Sequence, residues 1–256
     1  MLAAADAGIT TFDTANIYGQ GDSERLLGRL FGHRPEIAIV TKAGRKFSGR
    51  ARLAARIKPL LRIALKWRAR LWKHRSASGG AAATSPASAV ESLRSNEVSQ
   101  DFSPAALDAS LNGSLRRLRR TRVDAFLLHD PSPSTIRDPA VVALLTRIKA
   151  EGRAGRVGVS INVAEELEAV ADTPGYDIVQ APMVLLDRMA DSDAYRSLLD
   201  RGVAFHVRQV LRPHGGMGTP DVPAAIARAR GLPGVETVLI GMSRSRHLAE
   251  VAGCAD

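Results

Sequence analysis

The sequence predicts an α/β protein on a parallel sheet, of the (β/α)8 barrel kind. Three observations carry that expectation. Short β-branched or apolar runs alternate with helix-like stretches seven times over. Most of these runs are almost continuously apolar, as parallel strands buried on both faces should be. Several of them end on a polar, titratable residue, and the C-terminal rim of the strands is where a barrel carries its chemistry.

Taken in order, the chain opens on LAAADAG, which reads as the tail of a helix. The first strand-like run is 10–13 (TTFD), followed by a helical pattern at 23–31. The next is 36–42 (EIAIVTK), and the pattern then breaks at 44–102 before a helix at 104–118. Beyond it come strand 123–129 (VDAFLLH), helix 138–150, strand 156–160 (RVGVS) and helix 164–171. Strand 177–181 (DIVQA), helix 191–200, strand 203–207 (VAFHV), helix 222–229, strand 237–242 (TVLIGM) and helix 245–251 complete the series. Ser103-Pro104 and Asp138-Pro139 each read as an N-cap with proline at the first helical position. Seven strands are one short of a closed barrel, so the expectation is a barrel lacking its first strand and most of its first helix. Such a sheet would leave 10–13 and 237–242 as unpaired edges.

Composition narrows the function. At 256 residues, 45% hydrophobic and 24% charged, the chain needs no disulfide or metal staple to fold. Its one cysteine, Cys254, excludes an intrachain disulfide, and no Cys/His cluster has metal-site spacing. Apolar stretches are too short to span a bilayer, and the N-terminus lacks the basic region of a signal peptide, so the expected compartment is the cytoplasm. Net charge is +10, but 45–75 carries 12 of the 36 basic residues and no acidic one. The remainder holds 24 basic residues against 26 acidic ones, which argues against a general nucleic-acid binder.

That basic stretch belongs to an insertion at about 45–102 within a single domain spanning 1–256. Its first half reads as a basic amphipathic helix kinked at Pro59, and 76–100 reads as a flexible Ala/Ser/Gly-rich loop. Connections this long are uncommon in a compact domain. The insertion is either a solvated excursion, a surface for anionic lipid, or a site for an anionic substrate or partner. Trp67 and Trp72 fit the apolar side of that helix, and His206 reads as a satisfied core or rim histidine.

The chemistry concentrates in GITTFDTANIYGQGDSERLLG (8–28), where Asp13 ends a strand and Tyr18 follows on a glycine-flanked loop. Lys42 ends the next strand and His129 the one after. Tyrosine is a weak acid with a free pKa of about 10, and a nearby lysine ammonium favours its phenolate. An aspartate can hold that lysine charged, and a histidine can donate to a carbonyl oxygen. With IVTKAG, LRRLRRTRVDAFLLHDP, GRVGVS, DIVQAP, LLDR and LIGMSRSRHLAEV, these blocks make the chain resemble the aldo-keto reductase family.

The resemblance implies a TIM-type barrel and NADP(H)-dependent reduction of a small-molecule aldehyde or ketone, with NADH possible. It assigns the catalytic set to Asp13, Tyr18, Lys42 and His129, with Tyr18 as general acid, Lys42 tuning it, Asp13 holding Lys42 and His129 orienting the carbonyl. Cofactor contacts fall on Ser160, Asn162, Gln180, Gly241, Ser243, His247 and Glu250. Met183 stands where the family has an aromatic that stacks on the nicotinamide, and Val251 where it usually has Asn. Arg244 and Arg246 could hold a 2′-phosphate, which favours NADPH. The competing class is a catalytically weak or inactive barrel used for binding or regulation, favoured by Met183, Val251 and the absent first strand. NADPH binding separates the two.

Overall fold

The computed structural model describes residues 1–47, 98–211, 221–242 and 246–253. It divides into two compact units, Met1–Gly44 with Asp101–Asp256, and Arg45–Gln100. The larger unit carries seven parallel strands: β1 (Thr11–Asp13), β2 (Ala38–Ala43), β5 (Val123–His129), β6 (Ala154–Ser160), β7 (Ile178–Pro182), β8 (Ala204–Arg208) and β9 (Val235–Val238). They lie side by side in that order, so each strand neighbours the next one in sequence, as right-handed βα repeats dictate. Among the described residues, β1 and β9 are the two ends of the sheet and both are half-buried, whereas the strands between them are mostly buried.

The smaller unit contributes β3 (Arg45–Phe47) and β4 (Val98–Gln100), an antiparallel pair in the register Arg45↔Gln100 and Phe47↔Val98. The loop read at 76–100 therefore ends in a strand. The basic helix, Trp67, Trp72 and the rest of that loop lie outside the described residues. No helix among the described residues is long and apolar enough to cross a membrane.

Helices start where the sequence stops them from starting later. Ser103 accepts from the Ala106 amide at 3.4 Å and Asp138 from the Ala140 amide at 2.9 Å, each with proline behind it. Ser132 caps a short helix, Pro133–Ile136, that the sequence reading did not foresee. The stretch read as 191–200 is Asp193–Asp200, capped by Ser192, and a separate helix, Met183–Met189, precedes it. The last strand was expected at 237–242 and is Val235–Val238. Among the described residues it pairs on one side, with β8.

Two faces follow from the period-2 alternation of the strands. Ile39, Phe126, Val157, Val179 and Phe205 point to the main core, where the helices cover the sheet. Val40, Ala125, Leu127, Ile178 and Ala204 form a small second cluster on the other face. Gly158 keeps β6 and β7 close, since a Cβ there would lie 2.1 Å from the Ile178 carbonyl oxygen.

The helix Asp22–Phe31 is locked in place by a buried carboxylate. Glu24 is fully buried and accepts from Thr41 Oγ1 at 2.7 Å and from Arg117 Nε at 2.6 Å. A Cβ on Gly28 would sit 2.2 Å from the Arg117 carbonyl oxygen, so the two helices meet backbone to backbone. The SERLLG stretch therefore has structural reasons of its own. It holds the loop bearing Tyr18 against β2 and the helix Pro104–Leu118.

Candidate active site

Continuing the alternation of the second cluster toward the C-terminal ends of the strands selects the site. Val40 leads to Lys42, Leu127 to His129, Ile178 to Gln180, and Ala204 to His206 and Arg208. Register aligns His129 with Ser160, Ser160 with Gln180, Gln180 with His206 and Pro182 with Arg208. Polar side chains thus replace apolar ones on one face over the last residues of five adjacent strands.

Lys42 is almost fully buried, yet its ammonium is well supplied with acceptors. Nζ donates to Asp13 Oδ2 at 2.5 Å and to the Thr14 carbonyl oxygen at 3.0 Å. Burial is the largest influence on Lys42 and pulls its pKa below the usual lysine range. Asp13 opposes that through charge and hydrogen bond; Arg208 lowers it further and Asp130 raises it. Asp13 is held from a second side by Gln180, whose Nε2 donates to Oδ1 at 2.9 Å. Gln180 in turn accepts from Ser160 Oγ at 3.1 Å. A chain Ser160–Gln180–Asp13–Lys42 therefore crosses the sheet.

Tyr18 opens a short 3-10 turn, Tyr18–Gly21, in which Gly19, Gln20 and Gly21 all have positive φ. Such a turn favours the two glycines, Gly19 and Gly21, that follow the tyrosine in the sequence. The Tyr18 ring is 40% exposed, centred 5.5 Å from Lys42 Nζ and edge-on to His129 at 5.9 Å. The His129 ring is nearly buried, with Nε2 4.0 Å from Asp130 Oδ2.

A cavity of about 1070 Å³ opens over this arrangement, between the end strands β1 and β9. Asp13, Tyr18, His129, Ser160, Asn162, Gln180 and Gly241 all line it. Asn162 donates through Nδ2 to Asp130 Oδ1 at 2.9 Å and accepts from Arg208 Nη2 at 2.6 Å. Its backbone amide is taken by Glu166 Oε2. The structure therefore brings the four proposed catalytic residues together with Ser160, Asn162, Gln180 and Gly241.

Other expectations fare differently. Ser243 lies outside the described residues, as do Arg244 and the side chains of Arg246 and His247, although the latter two begin the helix Arg246–Ala252. Glu250 is on that helix, exposed and not among the cavity-lining residues, while its neighbour Val251 is. Met183 does not cover the cavity. It is 2% exposed within the main core, because it starts a helix that turns away from the end of β7. His206 is buried, but neither ring nitrogen finds a hydrogen-bond partner among the described residues, so it is not the satisfied histidine that the sequence suggested. Arg208, which lines the cavity, went unnoticed; only its parity with Ala204 would have placed it there.

The model of the Aldo/keto reductase family matches residues 1–219. The NADH-specific methylglyoxal reductase of Escherichia coli is 22% identical over 215 residues, covering 82% of this chain and 55% of that protein. D-threo-aldose 1-dehydrogenase of a Pseudomonas species is 29% identical over 182 residues, covering 69% and 47%. The chain thus spans about half the length of the curated relatives it matches. Among solved structures, the holo form of a Bacillus halodurans aldo-keto reductase superposes with a TM-score of 0.69 at 17% identity, covering 99% of this chain and 79% of that one. A Klebsiella pneumoniae aldo/keto reductase in complex with NADP and acetate gives 0.63 at 20% identity, covering 99% and 77%. These likenesses show the fold.

Proposed function

Because the chain belongs to the aldo/keto reductase family, we propose that its site reduces an aldehyde or ketone to the alcohol with a nicotinamide dinucleotide, NADP(H) first and NADH second. The observation that carries this reading is the buried Lys42–Asp13 pair set under Tyr18, with His129 edge-on to the same ring and Asp13, Tyr18 and His129 lining one cavity. The relatives support it: one is named for NADH specificity, and a structural neighbour was solved with NADP.

A bound dinucleotide supplies the hydride, which no side chain can provide. The residues fit such a group, since the cavity is at the large end of ligand sites and offers amide, hydroxyl and guanidinium groups along one wall. Ser160, Asn162 and Gln180 would hold the nicotinamide end; Gly241, Ser243, His247 and Glu250 are proposed for the far end. Gln180 is pre-set for this by its bonds to Ser160 and Asp13.

The remaining work falls to the four polar residues. Tyr18 Oη gives its proton to the carbonyl oxygen as charge develops there. Lys42, charged and fixed by Asp13, stabilises the phenolate left behind. His129 donates to the carbonyl oxygen and fixes its direction. The low dielectric around the nearly buried Lys42 and His129 strengthens each of these interactions.

The test is fluorescence titration of the purified protein with NADPH and NADH, followed by turnover of activated aldehydes. Saturable binding of at least one dinucleotide with aldehyde-dependent oxidation supports the proposal. Binding without turnover of any carbonyl would return the protein to the scaffold class.

A further inference from the structure

A second, smaller cavity of about 330 Å³ lies where the helices Asp22–Phe31 and Pro104–Leu118 meet. Arg25, Arg29, Arg116, Arg117, Arg119 and Gly113 line it, and among the described residues no acidic or apolar side chain does. The chemistry above uses none of them. Arg117 is half-buried and the other four arginines are exposed. Its guanidinium is fixed, because Nε donates to Glu24 Oε2 at 2.6 Å and Nη2 to Ser114 Oγ at 3.2 Å. Nη1 makes no hydrogen bond among the described residues and lies beside Gly113, where a Cβ would come within 3.0 Å of it. A glycine inside a helix costs stability; this one gives Nη1 its room.

Carboxylates take up only part of this charge. Asp22 pairs with Arg25 at 2.9 Å and Glu24 with Arg117 at 2.6 Å, whereas Arg29, Arg116 and Arg119 make no ion pair among the described residues. Arg29, Arg116 and Arg117 sit in the last turns of their helices, which favours cations there. Each helix end offers only about half a negative charge, so about two positive charges stay unmatched. We propose that this cleft binds a small multivalent oxyanion of the phosphate class, at a site separate from the active-site cavity. Several guanidinium forks around one concavity suit the oxygens of a phosphate, which can accept from more than one fork at once. With no apolar side chain in the lining, the ligand is a soluble anion and not a headgroup presented by a bilayer.

The experiment is calorimetric titration with inorganic pyrophosphate at an ionic strength held constant with sodium chloride. It compares the wild type with the pairs Arg29→Gln/Arg116→Gln and Arg29→Lys/Arg116→Lys. Both side chains are exposed and make no ion pair among the described residues, so the fold survives their replacement. Two guanidinium charges roughly 6 Å from a multivalent anion, in water and screened by salt, alter affinity by about 10-fold or more. Expected is saturable binding to the wild type, weakened by at least about 10-fold in the Gln pair and by no more than about 3-fold in the Lys pair. A wild type that does not bind saturably overturns the proposal. So does a Gln pair that binds as tightly as wild type, which would place the anion elsewhere, the active-site cavity included. A Lys pair as weak as the Gln pair would show that charge does not hold the anion, and overturns it as well.

Discussion

Replacing His206 by leucine should leave the protein at least as stable near neutral pH and make it more resistant to acid. The imidazole is 2% exposed on β8, with Gln180 and Thr237 as its register neighbours and no hydrogen-bond partner on either nitrogen among the described residues. Burial, chiefly, lowers its pKa from 6.5 to about 4; Arg156 and Lys42 push the same way, and Asp13 and Glu236 oppose them. With the folded pKa below the unfolded one, the unfolded chain binds more protons between these values. Stability is then fully present above about pH 6.5 and is lost as pH falls toward 4. That gap of roughly 2.5 pKa units corresponds to about 3 kcal/mol once both forms titrate. Near neutrality the leucine removes a buried donor left unsatisfied, a cost of about 1–3 kcal/mol, in exchange for apolar packing. The assay is urea unfolding of both proteins at about pH 7 and about pH 4.5, where wild type should lose roughly 2–3 kcal/mol more than His206→Leu. Parallel losses would show that His206 does not titrate as a buried, unpartnered group, and the reasoning would fail.

Arg117→Met leaves the fully buried Glu24 carboxylate without its closest cation and should cost about 3–5 kcal/mol by denaturant unfolding, with part of the loss regained in the double variant Arg117→Met/Glu24→Leu. Gly158→Ala sets a methyl against the Ile178 carbonyl oxygen and should cost about 3 kcal/mol or prevent folding, whereas Gly241→Ala, with no described residue within 4 Å of the added carbon, should change stability by less than about 0.5 kcal/mol; melting curves of the pair check both.

The strands were legible because parallel, doubly covered strands must be apolar almost throughout, as IVTK and FLLH are. Their ends were less so. β6 begins two residues earlier than the apolar run suggests, because Ala154 already pairs with Val123 of β5. LIGM reads as strand by composition, yet in this end position the pairing stops at Val238. Asp13, Lys42 and His129 stood out because a buried strand has no structural use for a charge at its end, and Tyr18 because it follows Asp13 on a glycine-bearing loop. Arg208 obeys the same rule but was passed over, since an arginine after a strand reads as a solvated charge. Only the sheet register shows it to share a face with Lys42 and Gln180. Met183 was misassigned because sequence spacing alone does not say that the chain turns into a helix immediately after Pro182. The Gln180–Asp13 bond, 167 residues apart in sequence, had no local signal at all.

Tyr18, set over the Lys42–Asp13 pair, is proposed to give the proton that completes carbonyl reduction. Single-turnover oxidation of bound NADPH by an activated aldehyde, compared between wild type and Tyr18→Phe, tests it most directly. Tyr18→Phe is expected to slow that step by at least about 100-fold while NADPH affinity stays within a few-fold of wild type. An equal rate in the two proteins would contradict it.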